Sequence, residues 1–369
     1  MDKPLAGLKV VELARILAGP WAGQLLADLG AEVIKVERPE TGDDTRAWGP
    51  PFAADGSAAY FHGCNRGKRA VAIDLASAEG QDEARTLVRD ADILIENFKV
   101  GVLAGYGLDY PALKQVNPRL IYCSITGFGQ DGPYAARPGY DFMIQGLGGL
   151  MDLTGAPDGE PMRAGVAVAD LFTGLYAATA ILAALRGREA TDTGCHLDLA
   201  LLDVQVAMLA NQAMNYLIGG EAPHRLGNAH PNITPYQTFA VADGHIIVAV
   251  GNDAQFGRLL ALLGIAADPL YATNAERVRN RALLEALLAP VIALRHREEL
   301  LAALAAAGIP AGPINDVAQV FADPQVIARG MRIDAGGVPG IASPIVIDGR
   351  RQVADRASPA LPEAQPKAG

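Results

Sequence analysis

The chain reads as an α/β protein: a large domain built on a parallel sheet covered by helices, and a smaller α/β domain in the second half. Three observations carry that reading. β-branched runs alternate with segments of helical spacing as far as Phe128. Half of the 369 residues are apolar, enough for a large core. Beyond residue 228 the alternation gives way to a hairpin followed by Ala/Leu-rich helices.

Residues 8–13 (LKVVEL) and 32–37 (EVIKVE) predict strands, and the WAGQLLADLG between them has helical apolar spacing ending at Gly30, which makes a βαβ unit. A strand at 69–75, a helix at 77–91 capped by Ser77, and strands at 92–98 and 120–128 continue the pattern, as a parallel sheet requires. After Asp170 the sequence predicts a small-residue helix, the strand CHLDLAL, and a long helix from Leu202 to Ile218 stopped by Gly219 and Gly220. Residues 236–251 read as an antiparallel hairpin turning at Asp243 and Gly244, and Ala254–Leu304 as largely helical. The large domain is therefore placed at 1–227, completed by 323–356, and the small one at 228–322. The Ala- and Pro-rich stretch 357–369 is expected to be a poorly ordered tail.

A net charge of −10 without a polybasic stripe argues against a nucleic-acid surface, and an acidic protein that binds an anion must place its cations locally. Cys64, Cys123 and Cys195 are odd in number, far apart and not spaced as metal ligands, so they read as reduced thiols. The six histidines lack ligand spacing as well, and no metal is expected. The N-terminus enters a strand without signal-peptide features, and the apolar segment Leu171–Leu185 is short for a bilayer span. The expectation is a cytoplasmic protein with no membrane partner.

Phosphate-binding P-loop, dinucleotide G-x-G-x-x-G and nucleophile-elbow motifs are all missing, which removes the usual support for nucleotide hydrolysis, dinucleotide redox and serine-hydrolase chemistry. Three loops at predicted strand ends remain of interest. Arg15–Pro20 follows the first strand, and its Ala18 and Gly19 permit close approach of a ligand to a helix N-terminus; a turn packed for its own sake reads the same way. Arg38 closes the second strand, suited to a phosphate or to simple solvation. Glu96–Lys99 ends a buried strand with a polar group, an aromatic and a cation. Asp170, before an apolar helix, reads as a helix cap. A cap can also be a nucleophile, because the helix dipole favours the ionised carboxylate and nearby N–H groups can stabilise an oxyanion.

PLAGLKVVELARILAGP, the stretch from Leu29 through GDDTRAWGPPF, ILIENF, YCSITGFGQDGPYAARPGYD, RAGVAVADLFTGLYA and GIPAGPIND together resemble the class III CoA-transferase (CaiB/BaiF) family over residues 4–345. Within it, GDDTRAWGPPF, GLMDLTG, NYLIGG and ITPYQTF look most like the succinyl-CoA:glutarate (hydroxymethylglutarate) CoA-transferases. The resemblance implies a Rossmann-like large domain, a small α/β domain, an interlocked homodimer, and coenzyme A or acyl-CoA as substrate with no permanently bound cofactor. It also implies that Asp170 attacks a donor thioester to give an aspartyl anhydride, which CoA thiolate converts to an aspartyl-CoA thioester open to an acceptor carboxylate. By position, Leu17, Ala18, Arg38, Asn97 and Phe98 would hold CoA, and Tyr140 and Asp141 would flank the nucleophile. The match departs where family cations are replaced by Ala76, Gly105 and Pro138, with Arg137 next door as a substitute, and near the end, where Ala360-Leu-Pro-Glu-Ala stands for a Leu-Gly-Glu-His stretch. A dicarboxylate acceptor needs a cation for its far carboxylate, for which Arg46, Arg163 and Arg225 are candidates, and His230 lies in a segment that would cover it. Two alternatives stand beside this reading. One is a 2-methylacyl-CoA racemase, although Tyr140 replaces the histidine of the racemases' His-Asp pair. The other is a CoA-binding homologue without catalysis.

Overall fold

The computed structural model describes residues 3–362. Its described residues divide into two compact units, one of 3–149, 164–209 and 324–362, the other of 150–163 and 210–323. The second unit thus takes in 150–163 and 210–227, beyond the 228–322 expected for the small domain.

The first unit is built on six parallel strands: β1 (Lys9–Glu12), β2 (Glu32–Glu37), β3 (Arg69–Ala72), β4 (Ile93–Glu96), β5 (Ile121–Thr126) and β6 (His196–Ala200). Their order is β3-β2-β1-β4-β5-β6. Central strands buried on both faces must be apolar throughout, and β1, β4 and β5 supply this with Val10, Val11, Ile93–Ile95, Ile121 and Ile125. The order reverses direction between β1 and β4. Loops leaving the carboxyl ends of those two strands diverge there and open a crevice, which is where such sheets bind ligands.

Helix α1 (Ala18–Asp28) and helix α2 (Ala78–Arg89) follow β1 and β3, and Ser77 caps α2 as expected, accepting from the Gly80 N–H at 3.0 Å. Helix α3 (Asp141–Leu147) precedes the 24-residue helix α4 (Val168–Thr191). Helix α4 is long and apolar enough to cross a membrane by length and composition, unlike the shorter segment expected there. It buries Ala169, Thr173, Gly174, Ala177, Ala178 and Ile181, and several of these share one core with Ala18, Ala22 and Leu26 of α1. Gly174 is the point of closest approach. A Cβ there would lie 2.6 Å from the Ala18 carbonyl and 3.0 Å from Trp21 Cβ.

The expected 202–218 helix is broken into helix α5 (Leu201–Met208) and a second helix, Ala210–Gly219. Ala210 has φ 43°, a left-handed backbone that interrupts the helical hydrogen bonds, and the chain passes into the second unit at that residue.

In the second unit β7 (Tyr236–Val241) and β8 (Gly244–Ala249) form the expected hairpin, with Val241 paired to Gly244, so that Ala242 and Asp243 make the turn. Strand β9 (Ala311–Pro313) adds to β8, and Phe239, Ile246 and Val248 pack on Phe256, Leu284, Leu288 and Leu304 from the helices. Of the tail expected at 357–369, residues 363–369 lie outside the described residues, and the Pro359 carbonyl accepts from Arg46 Nη2 at 3.0 Å.

Gly174→Ala tests whether the α1–α4 contact is as close as it looks. The added methyl must push the helices apart, at a cost of about 1–3 kcal/mol, read as a lower Tm; an unchanged Tm would show that the helices have room.

Candidate active site

Arg15–Ala18, leaving β1, and Asn97–Val100, leaving β4, line a cleft of about 330 Å³ at the switch point. Ile125–Gly127 of β5 and its exit, Arg137–Tyr140 and Leu201 line it too, and Asp170 joins them from the first turn of α4. Of the residues singled out from sequence, the structure gathers Leu17, Ala18, Asn97, Phe98, Arg137, Tyr140 and Asp170 around this one cavity.

Asp170 is not the cap of its helix. The N-cap position belongs to Ala167, three residues earlier, and makes no side-chain bond. The capping carboxylate comes from elsewhere: Asp141 Oδ1 accepts from the Ala169 N–H at 2.8 Å and the Asp170 N–H at 3.4 Å. Its other oxygen accepts from Gln145 Nε2 at 2.7 Å, and Gln145 Oε1 accepts from the Ala164 N–H at 2.9 Å. Asp141 is buried and has both oxygens engaged. It holds the helix start rather than facing the cleft.

This arrangement reverses the expected electrostatics. Burial, and after it the negative charge of Asp141, push the Asp170 carboxyl up to about 7, against the helix-dipole argument for an easily ionised group. Asp170 accepts no side-chain hydrogen bond among the described residues. A partly exposed carboxylate in a cleft, raised and unpaired, is what nucleophilic or acid–base chemistry needs. Tyr60 lies in the same field, its phenol pushed up to about 12 by burial and by Asp170. Tyr140 lines the same cleft and is 64 % exposed.

The cations of the cleft are Arg15, Lys99 and Arg137. Arg137 stacks 3.9 Å from the centroid of Tyr134. Arg15 lies 2.7 Å from Asp44 and 6.0 Å from the Phe98 ring centroid. Arg38 is not in the cleft wall; it is exposed and pairs with the other oxygen of Asp44, which links it to Arg15. Asn97 serves its neighbour loop, donating to the Arg15 carbonyl at 2.7 Å and accepting from the Arg15 N–H at 2.9 Å.

Arg46, proposed for a distal carboxylate, is committed elsewhere. It is buried, forks onto both oxygens of Glu37 at 2.8 and 2.7 Å, and stacks 3.7 Å from the Phe61 centroid. Arg163, Arg225 and His230 belong to the second unit. There Arg225 pairs with Asp152 at 2.8 Å, and His230 Nδ1 accepts from the Asn232 N–H at 3.1 Å.

Sequence reasoning noted Lys99 as the cation of its strand end without assigning it a ligand, and passed over Arg15, which lies in a loop it had singled out. It also missed Gly127 and Gly139. A Cβ on Gly127 would come within 2.5 Å of the Gly139 Cα, so two bare backbones touch and bring the Arg137–Tyr140 segment down onto the end of β5. A glycine immediately after a strand was the available signal.

The comparisons agree with this geometry. A family description, CoA-transferase family III, matches residues 5–365. The succinate–glutarate CoA-transferase of Agrobacterium fabrum is 56 % identical over 98 % of this chain and 94 % of its own length. The human succinyl-CoA:glutarate CoA-transferase is 45 % identical over 89 % of this chain and 76 % of its own. A crystal structure of a CaiB/BaiF family protein from Brucella suis superposes with a TM-score of 0.89 and 61 % identity, covering 98 % of this chain and 97 % of that one. With a matching fold, a cleft at the sheet's switch point and a family match over nearly the whole length, this chain belongs to CoA-transferase family III.

Proposed function

We propose that the enzyme moves coenzyme A between dicarboxylic acids, with succinyl-CoA as donor and glutarate or a dicarboxylate of similar length as acceptor, and that Asp170 carries the acyl group. The observation that supports this most directly is the unpaired, raised carboxylate of Asp170 in a cleft walled by the two switch-point loops. The substrate class comes from the two glutarate-transferring relatives.

In this reading Asp170 Oδ attacks the succinyl-CoA carbonyl, the C–S bond breaks, and CoA leaves as thiolate, giving an aspartyl-succinyl anhydride. The thiolate attacks the aspartyl carbonyl and releases succinate. The acceptor carboxylate attacks the resulting aspartyl-CoA thioester, forming a second anhydride, and the thiolate takes the acceptor acyl group and restores Asp170. Each intermediate is an activated acyl, so the thioester energy is kept and no nucleotide triphosphate is needed. N–H groups at the start of α1, beside Leu17 and Ala18, suit the oxyanion formed at each attack. Arg15, Lys99 and Arg137 suit the CoA phosphates. No proton leaves carbon in this sequence of steps, and the racemase alternative lacks the second base it needs beside Asp170: Asp141 has both oxygens engaged, and Tyr140 is a phenol.

Exposed Phe172, Leu175, Tyr176 and Leu182 on α4, with Phe142 and Met143 on α3, favour a homodimer in which this apolar band is covered. Sedimentation should give twice the 38.5 kDa chain mass; a monomer at micromolar concentration would refute it.

Incubation with succinyl-CoA and no acceptor should leave an acyl or CoA adduct on Asp170 by intact mass and peptide mapping. Asp170→Asn should abolish both adduct and transfer; transfer surviving in that variant would remove Asp170 from the mechanism.

The nucleophile is the ionised form, so with a carboxyl near 7 the adduct rate should rise with pH and level off above it, reaching at pH 6 about a tenth of its plateau. A pH-independent rate between 5.5 and 8 would contradict the raised carboxyl. Stability should run the other way. The folded state holds this proton more tightly than the unfolded chain does, so its contribution is complete below about pH 4 and is lost as pH rises through about 7. Asp170→Asn should therefore gain about 1–2 kcal/mol over wild type on going from pH 5 to pH 8, partial exposure having reduced the full shift. Differential Tm measurements at the two pH values check it.

A further inference from the structure

The turn between β1 and α1 passes through Ile16 at φ 73°. A β-branched side chain avoids that left-handed region, and a residue kept there is held by its surroundings. What surrounds it is a row of four buried charges. Lys35, fully buried, lies 2.9 Å from Asp43 and 3.1 Å from Glu12. Lys68, also fully buried, lies 2.8 Å from the other oxygen of Glu12.

Three of the four also hold the backbone of the turn, and Glu12 ties the two lysines together. Lys35 donates to the Ala14 carbonyl at 2.9 Å, Asp43 accepts from the Ile16 N–H at 3.3 Å, and Lys68 donates to the Pro20 carbonyl at 2.8 Å. The turn is gripped at its beginning, middle and end. Asn97 grips it from the other side through Arg15.

Buried ion pairs are a poor means of stabilising a fold, since well-packed apolar residues of the same volume do as well or better. They do fix geometry, because each charge tolerates few positions for its partner. The geometry fixed here is that of a cleft wall: Arg15, Ile16, Leu17 and Ala18 all line the cavity that Asp170 faces. Ala18 also presses its carbonyl against α4 at Gly174, one helical turn beyond Asp170. The turn is wedged between the charge row and the nucleophile's helix, so if Ile16 relaxed, Leu17 and Ala18 would shift relative to the carboxylate.

We infer that Asp43 is a positioning residue for CoA transfer: anchored by Lys35, it holds Ile16 in its left-handed conformation and so keeps the Arg15–Ala18 turn in the shape that seats the CoA thioester beside Asp170. The inference rests on the reading of this cleft as the CoA site. Asp43 itself touches no reacting atom.

The test is a double-variant cycle on the full-length protein, with CoA affinity measured by calorimetry and succinyl-CoA-to-glutarate transfer measured in parallel. Asp43→Asn weakens the grip on Ile16 and should raise the CoA Kd about tenfold. Ile16→Gly in the same chain should restore most of that loss, because glycine takes a positive φ without a side-chain penalty and no longer has to be held. Mere loss of stability predicts the opposite, since two destabilising changes add. An Asp43→Asn protein with unchanged Kd, or no rescue by Ile16→Gly, overturns the proposal.

If Asp43→Asn does not fold, Lys35→Met with Asp43→Leu replaces the pair by apolar groups and leaves Glu12 with Lys68. That protein should fold and bind CoA about tenfold more weakly, and wild-type affinity in it overturns the proposal. If neither variant folds, the row belongs to stability alone and the proposal fails. The wild-type arm separates the two readings: a chain that binds CoA but moves none to glutarate refutes the transfer reading, while the positioning role of Asp43 is still decided by binding.

Discussion

The bond from Asp141 to the start of α4 is the contact on which the site depends. A long apolar helix begins with N–H groups that lack partners, and burying that end without an acceptor would be costly. Asp141 satisfies two of them from a different element, and Gln145 ties the same carboxylate to Ala164 just ahead of the helix. Three segments are thereby fixed to one another: α3, the approach to α4, and its first turn. Asp170 rides on that turn. Its position in the cleft follows from the cap, and so does part of the rise of its carboxyl, because the carboxylate that fixes the helix is also the anion that adds to the effect of burial.

The strand order gives this contact its setting. A sheet whose direction of growth reverses between β1 and β4 leaves the loops after those strands facing each other across a gap. Both loops are short, one leads directly into α1, and Asn97 fastens one to the other through the Arg15 backbone. An acidic chain of net charge −10 can therefore receive a polyanion, since the cations that matter are delivered by loops to one place and the carboxylates are spent inward. Glu12, Glu37, Asp43 and Asp28 are all buried against Lys or Arg partners, away from the cleft.

Most of the large domain's sheet was legible in the sequence, because a βαβ pattern is written locally: apolar β-branched runs, helical spacing, a Ser cap at 77, a glycine stop at 30. What escaped was long-range. Asp170 looked like a cap because capping rules see only neighbouring residues, whereas the true cap lies 29 positions upstream of Asp170 on another helix. Arg46 looked available for a substrate because nothing local shows that Glu37 will fork onto it across the end of β2. The 202–218 helix looked continuous because Leu209 and Ala210 are good helix formers, and tertiary context overrode that preference by turning Ala210 left-handed. The reading of Asp170 as the reacting group came from the family resemblance, since local chemistry alone favoured the cap.

A carboxyl near 7 is a compromise that suits this chemistry. A carboxylate with an ordinary low value is a weak nucleophile, and the anhydride it formed would lose the wrong partner as readily as the right one. Raising the value strengthens the nucleophile but lowers the fraction ionised, and near neutrality the two effects balance. Burial supplies most of the rise and Asp141 the remainder. Because the Asp141 carboxylate is held by three donors, that part of the rise is built into the resting enzyme and does not have to be created when a ligand binds. The same carboxylate thus fixes where Asp170 stands and adds to the rise of its carboxyl, so replacing Asp141 should change both together and no substitution there can separate them.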